Sequence, residues 1–144
     1  MIFIGFAYLM TFIKANSLTA LAFNWIISVW ALQWAIIWGG FWGNWIHGGT
    51  NIQINLAKMV IADFGAGTVM ITYEAVLGKC TLIQMLFLAT AEMFFWALNE
   101  SICVYKIGAT DMGGSMFVHT FGAYFGVAAC YFFQANRAKE SNNN

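Results

Sequence analysis

Asp111-Met-Gly-Gly-Ser-Met-Phe-Val-His119-Thr-Phe-Gly-Ala-Tyr-Phe-Gly126 is the stretch on which the reading of this chain turns. Beyond its paired glycines it is mostly apolar, and His119 is its one side chain of a type that changes charge near neutral pH. Ser115, His119, Gly122 and Gly126 recur at the spacing of one helix face. Opposite them stand Met116, Phe117, Val118, Phe121, Tyr124, Phe125 and Val127. Small residues on one stripe let a neighbouring backbone approach closely, as in the Gly122-x-x-x-Gly126 pair. The face is therefore expected to point into a helix bundle and to carry His119 with it. An ionisable group at membrane depth is a functional candidate; the alternative is a packed histidine hydrogen-bonded to a neighbouring helix. A neutral imidazole offers one donor and one acceptor nitrogen, which suits a small amine better than a metal ion. Asp111 stands at the N-cap, where its carboxylate is expected to accept from the N–H of Gly113 or Gly114 and to complement the helix dipole.

Outward from this stretch the whole chain is apolar. Of 144 residues, 61% are hydrophobic and only 8% charged, with no proline and a formal net charge of zero; mean hydropathy is +0.71. Soluble domains carry about a quarter charged residues, so this composition excludes an ordinary soluble enzyme and a disordered chain. It leaves an all-α, polytopic membrane protein. The balanced charge gives no footprint for nucleic acid. Cys80, Cys103 and Cys130 are widely spaced and read as buried thiols, not as a disulfide framework.

A helix needs ~20 apolar residues to cross the hydrocarbon. Residues 18–42, 59–77, 81–107 and 113–133 meet that length, whereas 1–13 is short and reads as a helix lacking its first turns. No basic residue precedes the first run and bulky residues follow Ala7, which argues against a signal peptide. Residues 1–135 are thus expected to form one five-helix unit, followed by a polar, disordered cytoplasmic tail over 136–144. With the N-terminus outside, Lys14, Lys79, Arg137 and Lys139 fall on the cytoplasmic side and Lys58 and Lys106 outside, in accord with the positive-inside rule.

The other runs also carry polar residues. Asp63, Gly67, Met70 and Glu74 share a face, but Asp63 and Glu74 lie ~16 Å apart along the axis, too far for a carboxylate pair. Phe64, beside the small residues Gly65, Ala66 and Gly67, reads from pattern as a core phenylalanine. Glu92 and Asn99 share a face with Trp96 near it. Glu100 lies about two turns from the outer end, where it could draw cations to a mouth. Trp30, Trp34, Trp38 and Trp42 form a stripe that reads as a lipid or packing face, with those near Gly43 in an interfacial belt. Asn99-Glu100-Ser101 matches a glycosylation acceptor but lies within an apolar run. His47 has no metal-ligand partner, and no nucleotide loop, zinc spacing or nucleophile triad occurs, so neither metal nor cofactor is expected.

Residues 111–126 resemble the fifth-helix signature of the Rhesus glycoprotein branch of the ammonium transporter family. Upstream, Leu9-Met10-Thr11-Phe12, Phe23-Asn24, Gln33-Trp34, Asn55-Leu-Ala, Ala62-Asp63-Phe64, Ala75-Val-Leu-Gly-Lys79, Ile83-Gln84 and Asn99-Glu100 fit the first four channel helices. The resemblance implies a transporter and not an enzyme, in a multi-pass, plasma-membrane protein that assembles as a homotrimer. It implies that His119 is the first of two pore histidines and Phe64 the outer phenylalanine gate, which reverses the reading of Phe64 from pattern. Asp111 corresponds to the aspartate that keeps the conduction path intact, and Glu100 to an acid near the outer vestibule. Ammonium would be recruited outside and lose its proton, and ammonia would pass an apolar pore beside the histidines.

Three departures stand against the resemblance. Tyr73-Glu74 replaces a pair without charge, Glu92 replaces a neutral polar residue, and the chain matches only the first of two inverted five-helix repeats, without the additional amino-terminal helix of Rhesus proteins. Because inverted repeats place the path at the interface between halves, the chain is expected to be a truncated part of a full-length channel, inactive alone. The alternative is a non-conducting structural protein, or a half-channel module that pairs with a separate second half.

Overall fold

In a computed structural model that describes residues 1–12 and 17–141, and side chains as far as 133, all regular structure is helical. Helix α1 spans Ile2–Met10, α2 Ser17–His47, α3 Leu56–Val76, α4 Leu82–Ile102 and α5 Phe121–Ser141. Wide π-helical turns extend α4 over Cys103–Ile107 and precede α5 over Ser115–Thr120. The segments Ser17–His47, Leu56–Val76, Leu82–Ile107 and Ser115–Phe133 are long and apolar enough to cross a membrane. The expected all-α bundle of one short and four long helices is therefore observed.

The boundaries differ from expectation where local chemistry decides them. Helix α2 passes Gly43 and stops at His47, because Gly48 takes a positive φ of 74°. The Gly48 and Gly49 N–H groups then both donate to the Asn44 carbonyl, at 2.7 and 3.1 Å, a glycine C-terminal stop. The connection expected from Gly43 to Lys58 shrinks accordingly to residues 48–55. Helix α3 starts early because the Asn55 side chain accepts from the Lys58 N–H at 2.9 Å. Thr81 and Gln84 form a capping box that starts α4. Helix α5 continues to Ser141 through Ala135, Arg137, Ala138, Lys139 and Glu140, mostly strong helix formers. The tail expected from residue 136 is thus helical to 141, and 142–144 lie outside the described residues. Ile13 and Lys14, where the first run was expected to close, lie outside them too.

Helix α2 is the hub of the packing: it contacts α1, α3 and α4, while α5 lies against α3. Its buried stripe of Ala20, Asn24, Ile27, Ser28, Ala31 and Ala35 is mostly small, which admits close neighbours. Asn24 Nδ2 donates to the Phe3 carbonyl at 3.1 Å and Tyr73 Oη to the Ala20 carbonyl at 3.2 Å, tying α1 and α3 to α2. The tryptophan stripe packs against α4. Trp38 and Trp42 meet Phe94 edge-on at 4.9 and 5.2 Å, and Trp30 Nε1 donates to Thr90 Oγ1 at 2.9 Å. The second crossing that matters is that of α3 with α5. A Cβ on Gly122 would stand 2.8 Å from the Thr68 carbonyl oxygen, and one on Gly126 3.0 Å from Ala75 Cβ. Only glycine permits that approach.

Candidate functional site

Gly113 and Gly114 both take positive φ, 91° and 76°, and turn the chain sharply into the wide turn before α5. There the Gly114 carbonyl accepts from both the Val118 and the His119 N–H, at 3.0 and 2.9 Å. Asp111 holds this turn from outside. Its Oδ2 accepts from the Met116 and Phe117 N–H groups at 2.9 and 2.8 Å, and its Oδ1 from the Ser115 hydroxyl at 2.9 Å. The carboxylate thus caps the segment but reaches past Gly113 and Gly114, the donors expected from sequence, because their left-handed backbone carries the chain around it. The Phe117 N–H foremost, then Ser115 and Met116, hold the Asp111 carboxyl below the usual aspartate range.

A cavity of about 110 Å³ opens beside this turn, lined by Phe64, Trp96, Glu100, Asp111, Phe117 and Val118 among others. Three of the five site candidates, Phe64, Glu100 and Asp111, therefore meet at one place although they come from α3, α4 and the connection before α5. Phe64 is 44% exposed, which no core phenylalanine would be. Glu100 also lines a second, larger cavity of about 400 Å³ between the end of α2, the 48–55 connection and the start of α3. In that cavity Lys58 Nζ donates to Tyr105 Oη at 3.2 Å, and the His47 ring meets the Tyr105 ring edge-on at 4.4 Å. Glu100 thus lines both the larger cavity and the smaller one that Phe64 borders.

His119 and Ser115 do not line the smaller cavity, and the expected face is corrected here. Gly114, Val118, Gly122, Gly126 and Ala129 are buried, whereas Ser115 and His119 are exposed. Val118, assigned from spacing to the opposite side, is in phase with the glycines. The i→i+5 turn is wider than an α turn, so each residue advances by less than the ~100° of a regular helix, and the residues upstream of Phe121 fall out of register with those below. His119 consequently stands on the surface of this unit, one position beyond the packed stripe.

Trp96 was given no role from sequence. It is 2% exposed, and its Nε1 donates to the Phe117 carbonyl at 2.9 Å, on the turn that bears His119. Its ring fills the space a side chain at Gly65 would need, since a Cβ there would lie 2.8 Å from the indole. The usable signal was Trp96 one turn before Glu100 on α4, facing the glycine that follows Phe64. Among the described residues no cluster of three or more His, Cys, Asp or Glu side chains could hold a metal ion.

Comparison with known proteins gives a consistent set of relatives. The profile of the Ammonium Transporter Family matches residues 1–144. Ammonium transporter Rh type B of Danio rerio is 44% identical over 88% of this chain and 27% of its own length. Ammonium transporter Rh type B-B of Xenopus laevis is 43% identical, and the Rh type B protein of Gorilla gorilla gorilla 40%, over the same shares. The chain spans about a quarter of the length of the curated relatives it matches, 27% in each case.

Proposed function

The chain belongs to the ammonium transporter family, a membrane protein with four helices able to span among its described residues, and from that premise we propose that it forms the first five-helix half of an ammonia-conducting path. The observation that carries this reading is the convergence of Phe64, Glu100 and Asp111 on one cavity, with His119 exposed on the turn that Asp111 caps. Glu100, which lines both cavities, recruits ammonium from the larger one, read as the outer vestibule. Phe64 and Trp96 give the apolar constriction below it, where a charged species is disfavoured and ammonia is not. Asp111 and Ser115 fix the turn, and His119 supplies a donor and an acceptor at the path beyond it. The exposure of His119 favours a path completed by a second surface, supplied by a second repeat. The assembled protein is a homotrimer in the plasma membrane.

The test is ammonia-driven pH change inside vesicles. Residues 1–144 alone should conduct nothing. Substituted for the matching part of a full-length Rh type B relative, they should support flux, and His119→Ala in that chimera should reduce it at least tenfold. Equal flux with and without the imidazole would sink the assignment of His119, and flux through the chain alone would sink the half-path reading.

A further inference from the structure

Glu92, midway along α4, is fully buried. Its Oε1 lies 2.6 Å from Thr72 Oγ1 of α3, and the same hydroxyl lies 3.1 Å from the Gly122 carbonyl of α5. Among the described residues Glu92 Oε2 has no hydrogen-bond partner and no cation pairs with the group. A threonine hydroxyl carries one hydrogen. Were Glu92 ionised, that hydrogen would face two acceptors at once, and one contact would set two bare oxygens against each other. An ionised carboxylate would also sit desolvated with one donor and no counter-charge, the costly arrangement for a buried ion.

We infer that Glu92 is a neutral carboxylic acid, and that it donates a hydrogen bond within a node joining α3, α4 and α5. Oε1–H donates to Thr72 Oγ1, Thr72 donates to the Gly122 carbonyl, and each hydrogen is used once. The unpartnered Oε2 is then a carbonyl oxygen and not half of a charge. The node lies where α5 packs tightly on α3, with Gly122 against Thr68, and His119 is less than one turn upstream on the same segment. Glu92 thereby acts as a positioning residue for the His119 turn, and this last step rests on the transport reading.

Infrared spectra of the full chain in lipid vesicles at neutral pH test the proton directly. The wild type should show a carboxylic-acid carbonyl band that shifts in deuterium oxide, and the Glu92→Gln difference spectrum should show its loss. No band, or a band unchanged in the variant, would overturn the inference. The node is tested by thermal unfolding. Glu92→Gln keeps a donor and should retain the wild-type midpoint, while Glu92→Met and Thr72→Val, each similar in size but without the polar link, should fall by roughly 4 °C. A Glu92→Met variant as stable as Glu92→Gln would dismiss the hydrogen bond. In the full-length chimera, Glu92→Met should lower ammonia flux several-fold and Glu92→Gln should not. Equal flux in both would overturn the positioning role alone, since His119→Ala tests the transport reading separately.

Discussion

Two neighbouring stripes of the segment before and within α5 differ in what covers them. Gly114, Val118, Gly122, Gly126 and Ala129 are buried, the two lower glycines pressed against Thr68, Thr72 and Ala75 of α3. Ser115 and His119, each one position further along, are exposed. The first stripe is defined by absence of side chains, so that backbone meets backbone. The second is defined by polar side chains that nothing among the described residues covers. The lesson is that the small-residue stripe marks the contact this helix makes inside its own unit, while the candidate histidine stands beside that stripe and not in it.

The hardest blow to this division should fall on the residue that supports both stripes from behind. Trp96 holds the Phe117 carbonyl and fills the hollow over Gly65. Truncating a large buried aromatic costs about 3–5 kcal/mol, and here a carbonyl also loses its donor. Trp96→Ala should therefore destabilise the chain by about that amount in denaturant unfolding in detergent, and Trp96→Phe by less. A loss under about 1 kcal/mol would mean that the wide turn is held by Asp111 alone.

A smaller effect separates the stripes directly. Gly122→Ala places a methyl group 2.8 Å from a backbone oxygen that cannot swing aside, so α3 and α5 must part. Overpacking of this kind costs about 1–3 kcal/mol. His119→Ala, on the exposed stripe, should stay within about 0.5 kcal/mol of the wild type in the same assay. Equal costs for the two would show that the stripes are one packed face, as the spacing first suggested.

The sequence carried the helix count and the membrane character because hydropathy and length act over many residues and survive local irregularity. It also led to Phe64, Glu100 and Asp111, through the resemblance for the first and through position and charge for the others. What it missed depends on backbone geometry that periodicity assumes away. The i→i+5 turn over Ser115–Thr120 shifted the register between His119 and Gly122. The positive φ of Gly48, and not the presence of Gly43, decided where α2 ends. Trp96 was hidden for another reason: an indole in an apolar run resembles any core residue until its N–H is seen to reach the Phe117 carbonyl.

The mildest test sharpens the comparison at its upper end. Asp111 serves the exposed stripe, because it accepts from Ser115, Met116 and Phe117 rather than from any buried residue. Those donors, the Phe117 N–H foremost, lower its folded-state carboxyl below the ordinary value. A depressed carboxyl contributes stability that is fully present above its unfolded value, about 4, and is lost as pH falls through the lower folded value. Thermal midpoints should therefore separate wild type from Asp111→Ala at neutral pH, and the gap should close as pH falls below 4. The packed stripe has no such carboxylate, so the deficit of Gly122→Ala relative to wild type should persist through the same acid range. A gap for Asp111→Ala that stays constant into acid would mean that the side chain holds the turn through shape and not through its charge.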